Sequence, residues 1–423
     1  MPHTKGAFAM HFYPASVCLP DFSRVDAKKW AVIACDQFTS EPEYWEECDR
    51  TVGKAPSALR LIFPEVWLSA DNAERIRTVN ETMRAYDGTV LCPLPAPCYL
   101  YVERTQPDGR VRRGLVGMID LEDYDYSPDS GSPVRATEGT VLSRIPPRVE
   151  IRRDALYELP HIMLLCDDKD ESLLSPYAAQ KDALHPLYDT DLMLGGGHLR
   201  GWAVPAGEQT RVDALLHTLT ANADRGSGAP IVLAVGDGNH SLATAKTIYE
   251  EMKRNDPEKA KTSPARYALV EVVSLHSPAL DFAPIYRLVT GCDPAAVAAD
   301  FAAWGENMAK APENAVFPKQ SFRLCSGGRE HTVTFSHGTH PLAVGTVQAY
   351  LDARPGLAVD YIHDEVSLLG LSEADGALGF LFDGMTKGEL FPAVEAGGPL
   401  PRKTFSMGHA KDKRYYMEAR KIR

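Results

Sequence analysis

The residues best suited to chemistry lie in one short turn, Asp237-Gly-Asn-His240. A continuous apolar run over residues 231–235 precedes the turn and predicts a buried interior strand. Apolar positions at helical spacing follow it and predict a helix that begins near Asn239 to Ser241. The free amides of a helix start attract anions, and Asp237 and His240 beside them are suited to bind a metal or carry a proton. Helix capping is the alternative role for these polar residues.

Two more carboxylates are candidates for a catalytic or metal-binding role. Asp36 follows an apolar strand, at the end where ligands of α/β folds gather, and it would bind a metal, act as a base or cap a helix over residues 41–48. Glu138 lies among Arg135, Arg144 and Arg148, so it would position a hydroxyl substrate while the guanidiniums hold phosphate. Surface ion pairs are the alternative for this second group.

Two further clusters lie nearer the C-terminus. Asp360, His363, Asp364 and Glu365 follow a predicted strand and offer ligands for magnesium or manganese, although the same residues suit the first turn of a helix. Lys403 belongs to a basic C-terminal element that would either close over an anionic ligand or simply be solvated.

Several stretches of the chain resemble one bacterial and archaeal family, the domain of unknown function 1015. Its Asp-Gly-His-His-Arg signature is similar to Asp237-Gly-Asn-His-Ser241. Further similar stretches, in the family's order, are Ala31–Asp36, Gly114–Tyr124, Val134–Thr140 with Arg148, Ala268–Ser274, Pro284–Val289 and Leu400–Phe405. The resemblance covers most of the chain.

The resemblance has two departures. Ser241 stands where the family has an arginine, and Tyr286 stands where it has a histidine, while Arg287 keeps the family's guanidinium. If the family's turn holds phosphate through that arginine, the site here is weakened or rearranged, or else Arg287, Lys246 or Lys403 supplies the charge instead.

The turn is also similar to the phosphate-cradling box of proteins with the ParB and sulfiredoxin type of fold, some of which phosphorylate small hydroxyl compounds. This similarity implies a ParB/sulfiredoxin-like core that binds ATP or ADP with Mg²⁺. The cofactor-binding residues of this core would be Gly238, Asn239 and Ser241, together with the cations Lys246, Arg287 and Lys403. Asp237, His363 and Asp364 would hold the metal.

Composition and charge narrow the classes of partner that the protein is expected to bind. The chain has 423 residues, 44% apolar residues and a formal charge of −12. That charge disfavours nucleic acid and anionic membranes, so a small-molecule substrate is expected. The eight cysteines include no Cys-x-x-Cys pair. Residues 1–7 show no secretion signal, and no apolar run could span a bilayer. These features and the cysteine spacing predict a cytoplasmic protein with reduced thiols. Oligomeric state is not predicted.

Alternating elements and hairpins predict an α/β or α+β fold of mixed sheets with flanking helices. Strands are predicted at 29–35, 59–63 and 268–274, and a pair of strands at 99–103 and 115–121. Helices are predicted at 70–86, 209–223 and 295–310, and hairpins around Gly195–Gly197 and Gly327–Gly328. A polar loop before the 231–235 strand suggests two regions, 1–225 and 226–423.

The resulting hypothesis is a nucleotide- or phosphometabolite-binding protein that acts as a metal-dependent phosphotransferase on a small hydroxyl metabolite. Asp36, Glu138, Asp237 and His240 would be its catalytic residues. A non-catalytic ligand-binding or regulatory protein of the same fold is the main alternative, and a ParB-like nuclease or DNA-associated protein is another.

Overall fold

A computed structural model describes residues 10–69, 71–223, 230–309 and 317–423. The chain forms two compact units. The first unit comprises residues 1–136, 140–280 and 409–423, and the second comprises residues 137–139 and 281–408. The predicted boundary between residues 225 and 226 falls outside the described residues, as do residues 1–7, and that division stays a prediction. Within the described residues, no helix combines the length and apolar character needed to cross a membrane.

The strands of the described residues are numbered in chain order. They are β1 (Phe12–Tyr13), β2 (Val17–Pro20), β3 (Val32–Ile33), β4 (Leu91–Pro93), β5 (Cys98–Thr105), β6 (Val111–Asp120), β7 (Tyr124–Asp125), β8 (Val134–Ala136), β9 (Tyr157–Glu158), β10 (Met163–Cys166), β11 (His185–Leu192), β12 (Gly197–Pro205), β13 (Leu233–Asp237), β14 (Tyr267–Ser274), β15 (Phe282–Pro284), β16 (Tyr286–Thr290), β17 (Gln320–Ser326), β18 (Arg329–Phe335), β19 (Ala358–Ile362), β20 (Leu378–Phe382), β21 (Phe405–Met407), β22 (Tyr415–Tyr416) and β23 (Ala419–Lys421).

The α-helices are numbered in the same way. They are α1 (Ala27–Trp30), α2 (Pro42–Val52), α3 (Ala73–Tyr86), α4 (Ile145–Arg153), α5 (Ser175–Gln180), α6 (Gln209–Ala223), α7 (Asn239–Asn255), α8 (Pro257–Thr262), α9 (Pro294–Ala309), α10 (Ala343–Asp352), α11 (Glu365–Leu371) and α12 (Leu390–Gly397). The mixed α/β class is confirmed, because strands and helices alternate and the large sheet contains both parallel and antiparallel pairs.

The first unit contains a ten-stranded sheet among its described residues, with the order β11-β12-β5-β6-β14-β10-β13-β8-β7 and β1 paired to β6. Alternate residues of β5 enter different apolar clusters: Leu100 and Val102 enter one, and Tyr99 and Tyr101 enter the other. Successive side chains of a strand point to opposite faces, so both faces of this sheet are covered. The apolar run before the Asp237 turn is such a two-sided strand, as predicted.

The register of this sheet brings distant residues to one edge. Strand β10 runs antiparallel to β13, and Met163 pairs with Asp237. The start of β10 therefore lies beside the end of β13, and His161 comes just before β10. A separate two-stranded sheet pairs β22 with β3, and it continues as a hydrogen bond from the amide of Ala34 to the carbonyl of Arg414. The chain on either side of this pairing carries Asp36 and Lys413.

Two predicted strands are wrong. Within the predicted strand 29–35, residues up to Trp30 belong to α1, because the carboxylate of Asp26 caps that helix. Only Val32 and Ile33 of the predicted segment form a strand, β3. The predicted strand 59–63 begins instead as a 3-10 turn over 58–60, which the Ser57 hydroxyl caps. Short apolar runs do not distinguish a strand from a buried helical turn, and the polar residue before each run decided the outcome.

The other predicted elements are confirmed. Helix α6 covers the predicted 209–223. Helix α3 begins at Ala73, after the predicted start at 70, and α9 covers the predicted helix from 295 to 309. Residues 70 and 310 lie outside the described residues. The β5 and β6 strands pair as predicted, and both predicted hairpins form, between β11 and β12 and between β17 and β18.

The second unit is built on an antiparallel sheet of five strands among its described residues, in the order β18-β17-β20-β16-β19. Phe301 of α9 is fully buried and contacts five aromatic rings of this unit: that of Trp304 in the same helix, and those of Phe322, Phe335, Tyr350 and Phe380. This aromatic cluster forms the core that holds α9 and α10 against the sheet.

Candidate functional site

The Asp237 turn joins β13 directly to the 17-residue helix α7. Gly238 has a φ of 77°, and a Cβ atom at this position would lie 2.9 Å from the Cα of Ile162. Only glycine meets both conditions without a shift of the backbone. The carboxylate Oδ1 of Asp237 accepts the Gly238 amide at 2.9 Å, which holds the aspartate at the start of the helix.

A lysine from the C-terminal segment reaches this turn. The Nζ atom of Lys413 lies 3.4 Å from Oδ2 of Asp237, and the two side chains are only 15% and 14% exposed. The Oδ2 atom is buried and accepts no hydrogen bond from the described residues. The ion pair thus supplies a cation beside the helix start, where the resemblance to the family would place an arginine instead of Ser241.

Asp36 lies in the same cluster, through His161. Its Oδ2 is 3.6 Å from Nε2 of His161, and its Oδ1 accepts a hydrogen bond from Gln37 at 2.9 Å. On the far side of the ring, Nδ1 lies 2.7 Å from the hydroxyl of Tyr416, which also accepts the Cys35 amide. His161 is buried, whereas the Asp36 side chain is 27% exposed. The aspartate is therefore the accessible member of the pair.

The charges of this cluster alternate in sign. Burial by itself lowers the pKa of His161, but the negative charges of Asp36, Asp237 and Glu65 outweigh burial and raise that pKa above its ordinary value. Burial by itself would raise the pKa of Asp36. The charge and hydrogen bond of His161, the hydrogen bond from Gln37 and the charge of Lys413 outweigh burial and hold that pKa well below its usual range. The cluster therefore joins two carboxylates with an imidazole and an ammonium.

The first turn of α7 adds polar groups to the same place. Asn239, His240 and Ser241 are all partly exposed, and the amides of a first helical turn have no partner within the helix. The side-chain Oδ1 of Asn239 is buried and accepts no hydrogen bond from the described residues. Amide donors, an ammonium and two oxygen acceptors are suited to hold a phosphate and a hard cation that the phosphate brings.

Lys246 occupies a different position. It lies about two turns along α7, where its ammonium donates to the carbonyl of Leu121 at 2.8 Å and pairs with Glu250 at 2.9 Å. The ammonium of Lys246 is therefore bound beside the 3-10 turn over 121–123 and not at the start of α7. The helical spacing explains the difference, because a residue seven positions into a helix lies about 10 Å from its start.

The second unit gathers Glu138, Arg287 and Lys403. The 137–139 segment pairs with Leu400, whose amide donates to the carbonyl of Thr137 at 2.7 Å. The guanidinium of Arg287 is fully buried and donates to the carbonyls of Ile285, Arg402 and Lys403 and to Gln348. Burial lowers the pKa of Arg287 to about 10, although Tyr361 and Glu138 raise it. Its donors therefore hold the backbone of this loop.

Lys403 is exposed and has a φ of 57°, a left-handed conformation that is uncommon outside glycine. Arg287 stabilises this loop by donating to the Lys403 carbonyl at 3.1 Å. A strained residue held by a buried guanidinium is typical of a functional loop, and the anion-binding role of Lys403 stays a prediction.

The predicted metal ligands His363 and Asp364 lie in the second unit, and Asp237 lies in the first. Asp364 is the N-cap of α11, and its carboxylate accepts the Ser367 amide at 2.8 Å. This is the capping role that the sequence left open. Within the described ranges, no group of three or more His, Cys, Asp or Glu side chains could hold a metal ion. A cation at Asp237 would therefore depend on ligand oxygens and water.

Sequence reasoning did not identify His161, Lys413 or Tyr416. His161 stands alone before an apolar strand, and Lys413 is one of several cations near the C-terminus, so neither has a distinguishing pattern. The resemblance did include Arg148, which forms an ion pair with Glu65. The carbonyl of Cys35 in turn accepts the amide of Glu65 at 2.8 Å, which connects that pair to the Asp36 loop.

Comparison with solved structures finds distant similarities. A variant of a free serine kinase in complex with ADP is 11% identical, with a TM-score of 0.38 over 74% of this chain and 93% of the kinase. A conserved hypothetical protein from Pyrococcus furiosus is 11% identical, with a TM-score of 0.34 over 72% of this chain and 94% of its own.

The truncated SbnI protein from Staphylococcus aureus is 10% identical, with a TM-score of 0.35 over 71% of this chain and 85% of its own. No curated protein matches the chain. The model of the family described as "Protein of unknown function (DUF1015)" matches residues 21–354, so the chain belongs to that family.

Proposed function

We propose that this protein binds the phosphates of a nucleotide at the Asp237 turn and transfers a phosphoryl group to the hydroxyl of a small metabolite. The observation that carries this proposal is the Lys413–Asp237 pair at the start of α7, with an Nζ to Oδ2 distance of 3.4 Å. A helix start with a neighbouring ammonium is suited to a phosphate, because both act on the same negative charge.

The side chains at the turn supply positive charge for a phosphate. Lys413 has three ammonium donors, and its ion pair with Asp237 is to the Oδ2 atom. The amides of Asn239, His240 and Ser241 contribute the positive end of α7. His161 is buried beside Asp36, and the neighbouring carboxylates raise its pKa, which favours the protonated form of the imidazole. Phosphoryl transfer depends chiefly on this kind of positioning and charge neutralisation.

In the proposed reaction, the acceptor oxygen forms a bond to the terminal phosphorus of a nucleoside triphosphate. The bond between that phosphorus and the bridging oxygen breaks, and the nucleoside diphosphate leaves with the electron pair. The proton of the acceptor hydroxyl passes to a carboxylate. Asp36 is the candidate that belongs to the same unit as Asp237, and the catalytic role of Glu138 stays a prediction. His240 would contact the phosphate.

Magnesium fits this site only as a companion of the nucleotide. The buried Oδ2 of Asp237 and Oδ1 of Asn239 are hard oxygen donors that accept no hydrogen bond among the described residues. Magnesium is commonly held by one or two protein oxygens together with phosphate and water. When bound, it would neutralise charge on the phosphates.

The proposal is tested by thermal shift of the purified protein with ATP, ADP, CTP and phosphorylated metabolites, each with and without magnesium. We expect a magnesium-dependent rise in melting temperature for a nucleotide, because a ligand that binds only the folded state stabilises it. Asp237→Asn should lose this rise and any turnover. The matched control is Asp154→Asn, which changes an exposed carboxylate that pairs with Arg423 at the surface of the first unit.

Each other outcome has a defined meaning. Binding without turnover would favour a non-catalytic ligand-binding or regulatory protein. Binding to DNA that weakens steeply with salt would favour a DNA-associated role. No shift with any nucleotide, or a shift that Asp237→Asn retains, would contradict the proposed site.

A further inference from the structure

The loop that carries Asp36 is more rigidly held than a solvent-exposed turn requires. Phe38 has a φ of 53° and stacks on Tyr44 with a ring-centroid distance of 3.8 Å. The buried indole of Trp45 donates to the carbonyl of Gln37 at 3.1 Å. A non-glycine residue in this region costs free energy, and such strain persists where the surroundings hold it.

The Asp36 carboxylate is held from two sides. Gln37 donates to Oδ1 at 2.9 Å, and Nε2 of His161 lies 3.6 Å from Oδ2. The imidazole cannot turn freely, because its Nδ1 lies 2.7 Å from the hydroxyl of Tyr416, which is itself fully enclosed. The hydroxyl also accepts the Cys35 amide at 3.1 Å, one residue before Asp36. The same two residues, His161 and Tyr416, therefore fix both the backbone and the side chain at this point.

The other carboxylate of the cluster is less available to a substrate. Asp237 accepts the Gly238 amide with one oxygen and pairs with Lys413 through the other. Its side chain is 14% exposed, about half the exposure of Asp36 at 27%. Asp36 is thus the carboxylate that combines a fixed orientation with access from solvent.

We propose that His161 is a positioning residue that orients the carboxylate of Asp36, and that Asp36, rather than Glu138, receives the proton of the acceptor hydroxyl. This inference rests on the proposed phosphoryl transfer and adds the assignment of its proton acceptor. His161 does not touch the substrate and acts through Asp36. Tyr416 acts one step further back, by setting the orientation of the imidazole.

The test uses ATP hydrolysis by the full chain, with water in place of the acceptor hydroxyl, together with calorimetric ATP affinity. We expect Asp36→Asn to lower kcat by about 100-fold and His161→Gln by about 10-fold or more, with ATP affinity changed less than about 3-fold. The double variant should be no slower than Asp36→Asn alone, because residues that act as one unit are not additive. Tyr416→Phe should lower kcat in the same direction.

The matched control is His276→Gln. This imidazole forms a similar pair, with its Nε2 at 2.6 Å from Asp167, and both side chains are about one-fifth exposed. Its loss should leave kcat unchanged. If loss of a buried or partly buried imidazole acted only through folding, it would lower the melting temperature and the fraction of active protein. A positioning role instead lowers kcat while ATP affinity is kept, and we expect this separation in His161→Gln alone.

The outcomes separate this inference from the proposed function. A wild-type protein that binds none of the tested nucleotides and does not hydrolyse ATP would overturn both. Hydrolysis that His161→Gln leaves unchanged, or that Glu138→Gln abolishes while Asp36→Asn does not, would overturn the assignment of His161 and Asp36 alone.

Discussion

The ammonium of Lys413 lies 3.4 Å from the carboxylate of Asp237, although the two residues belong to segments far apart in the chain. The pairing of β22 with β3 and of β10 with β13 creates this proximity. It places an ammonium beside the turn in which Ser241 stands where the family signature has an arginine. A charge that is absent from the turn itself is supplied from the C-terminal segment.

Replacing this lysine should weaken nucleotide binding. We expect Lys413→Met to lower ATP affinity by about 10- to 100-fold, because a charge-assisted hydrogen bond to a phosphate contributes about 1.5–3 kcal/mol. Isothermal titration calorimetry measures the change. Lys261→Met removes an exposed lysine that pairs with Glu258 and serves as the control. Equal affinities of both variants would show that Lys413 does not bind the phosphates.

The Asp237 turn should not tolerate a side chain at Gly238. We expect Gly238→Ala to lower the free energy of unfolding by about 2 kcal/mol or more, since both the positive φ and the contact with Ile162 oppose a Cβ atom. Gly88→Ala separates the two effects, because Gly88 has a φ of 67° but a Cβ atom there would meet nothing within 4 Å. Urea denaturation of both variants should show the larger loss at Gly238, and equal losses would mean that the close approach costs nothing.

The pair of His161 and Asp36 should make stability depend on pH. The pKa of His161 is raised above its ordinary value of 6.5, so its contribution is present below pH 6.5 and is lost as the pH rises through the folded-state value. The pKa of Asp36 is lowered from its ordinary value of 3.8, so its contribution is present above pH 3.8 and is lost as the pH falls through the folded-state value. The pair is therefore most effective between these two ordinary values.

Denaturant unfolding of wild type and His161→Gln at several pH values measures this dependence. We expect wild type to be more stable by about 1–3 kcal/mol near pH 5.5, and we expect the difference to decrease as the solution becomes alkaline. His276→Gln provides the comparison for a partly exposed pair. A difference between wild type and His161→Gln that stays constant from about pH 5.5 to the alkaline range would contradict a charged imidazole in the folded protein.

The loop around Lys403 should depend on the guanidinium of Arg287. Arg287→Lys keeps the charge but loses the planar set of donors that reaches the carbonyls of Ile285, Arg402 and Lys403. We expect a loss of about 2–3 kcal/mol in the free energy of unfolding of the second unit. Arg402→Lys is the control, since Arg402 is exposed. If Arg287→Lys were as stable as this control, the guanidinium would not be what holds the loop.

Local patterns were sufficient for much of the fold. The helix over 209–223 and the hairpin between β11 and β12 were predicted because periodicity and glycine-rich turns are properties of neighbouring residues. The same reasoning failed at Trp30 and Leu59, where a single capping residue outweighed a short apolar run. Asp237 and Gly238 were predicted at a strand-to-helix junction, and the junction is confirmed.

The partners of those residues could not be predicted in this way. His161, Lys413 and Tyr416 have no local signal, since their positions depend on which strands pair and in which register. Strand pairing depends on the burial of side chains from the whole sheet, and a one-residue shift of register would turn the side chains of a strand to the opposite face. The amino-acid sequence by itself determined the Asp237 turn, the mixed α/β class and the family. Only the tertiary structure decided which cation faces Asp237 and which imidazole holds Asp36, because those contacts join segments that are distant in the chain.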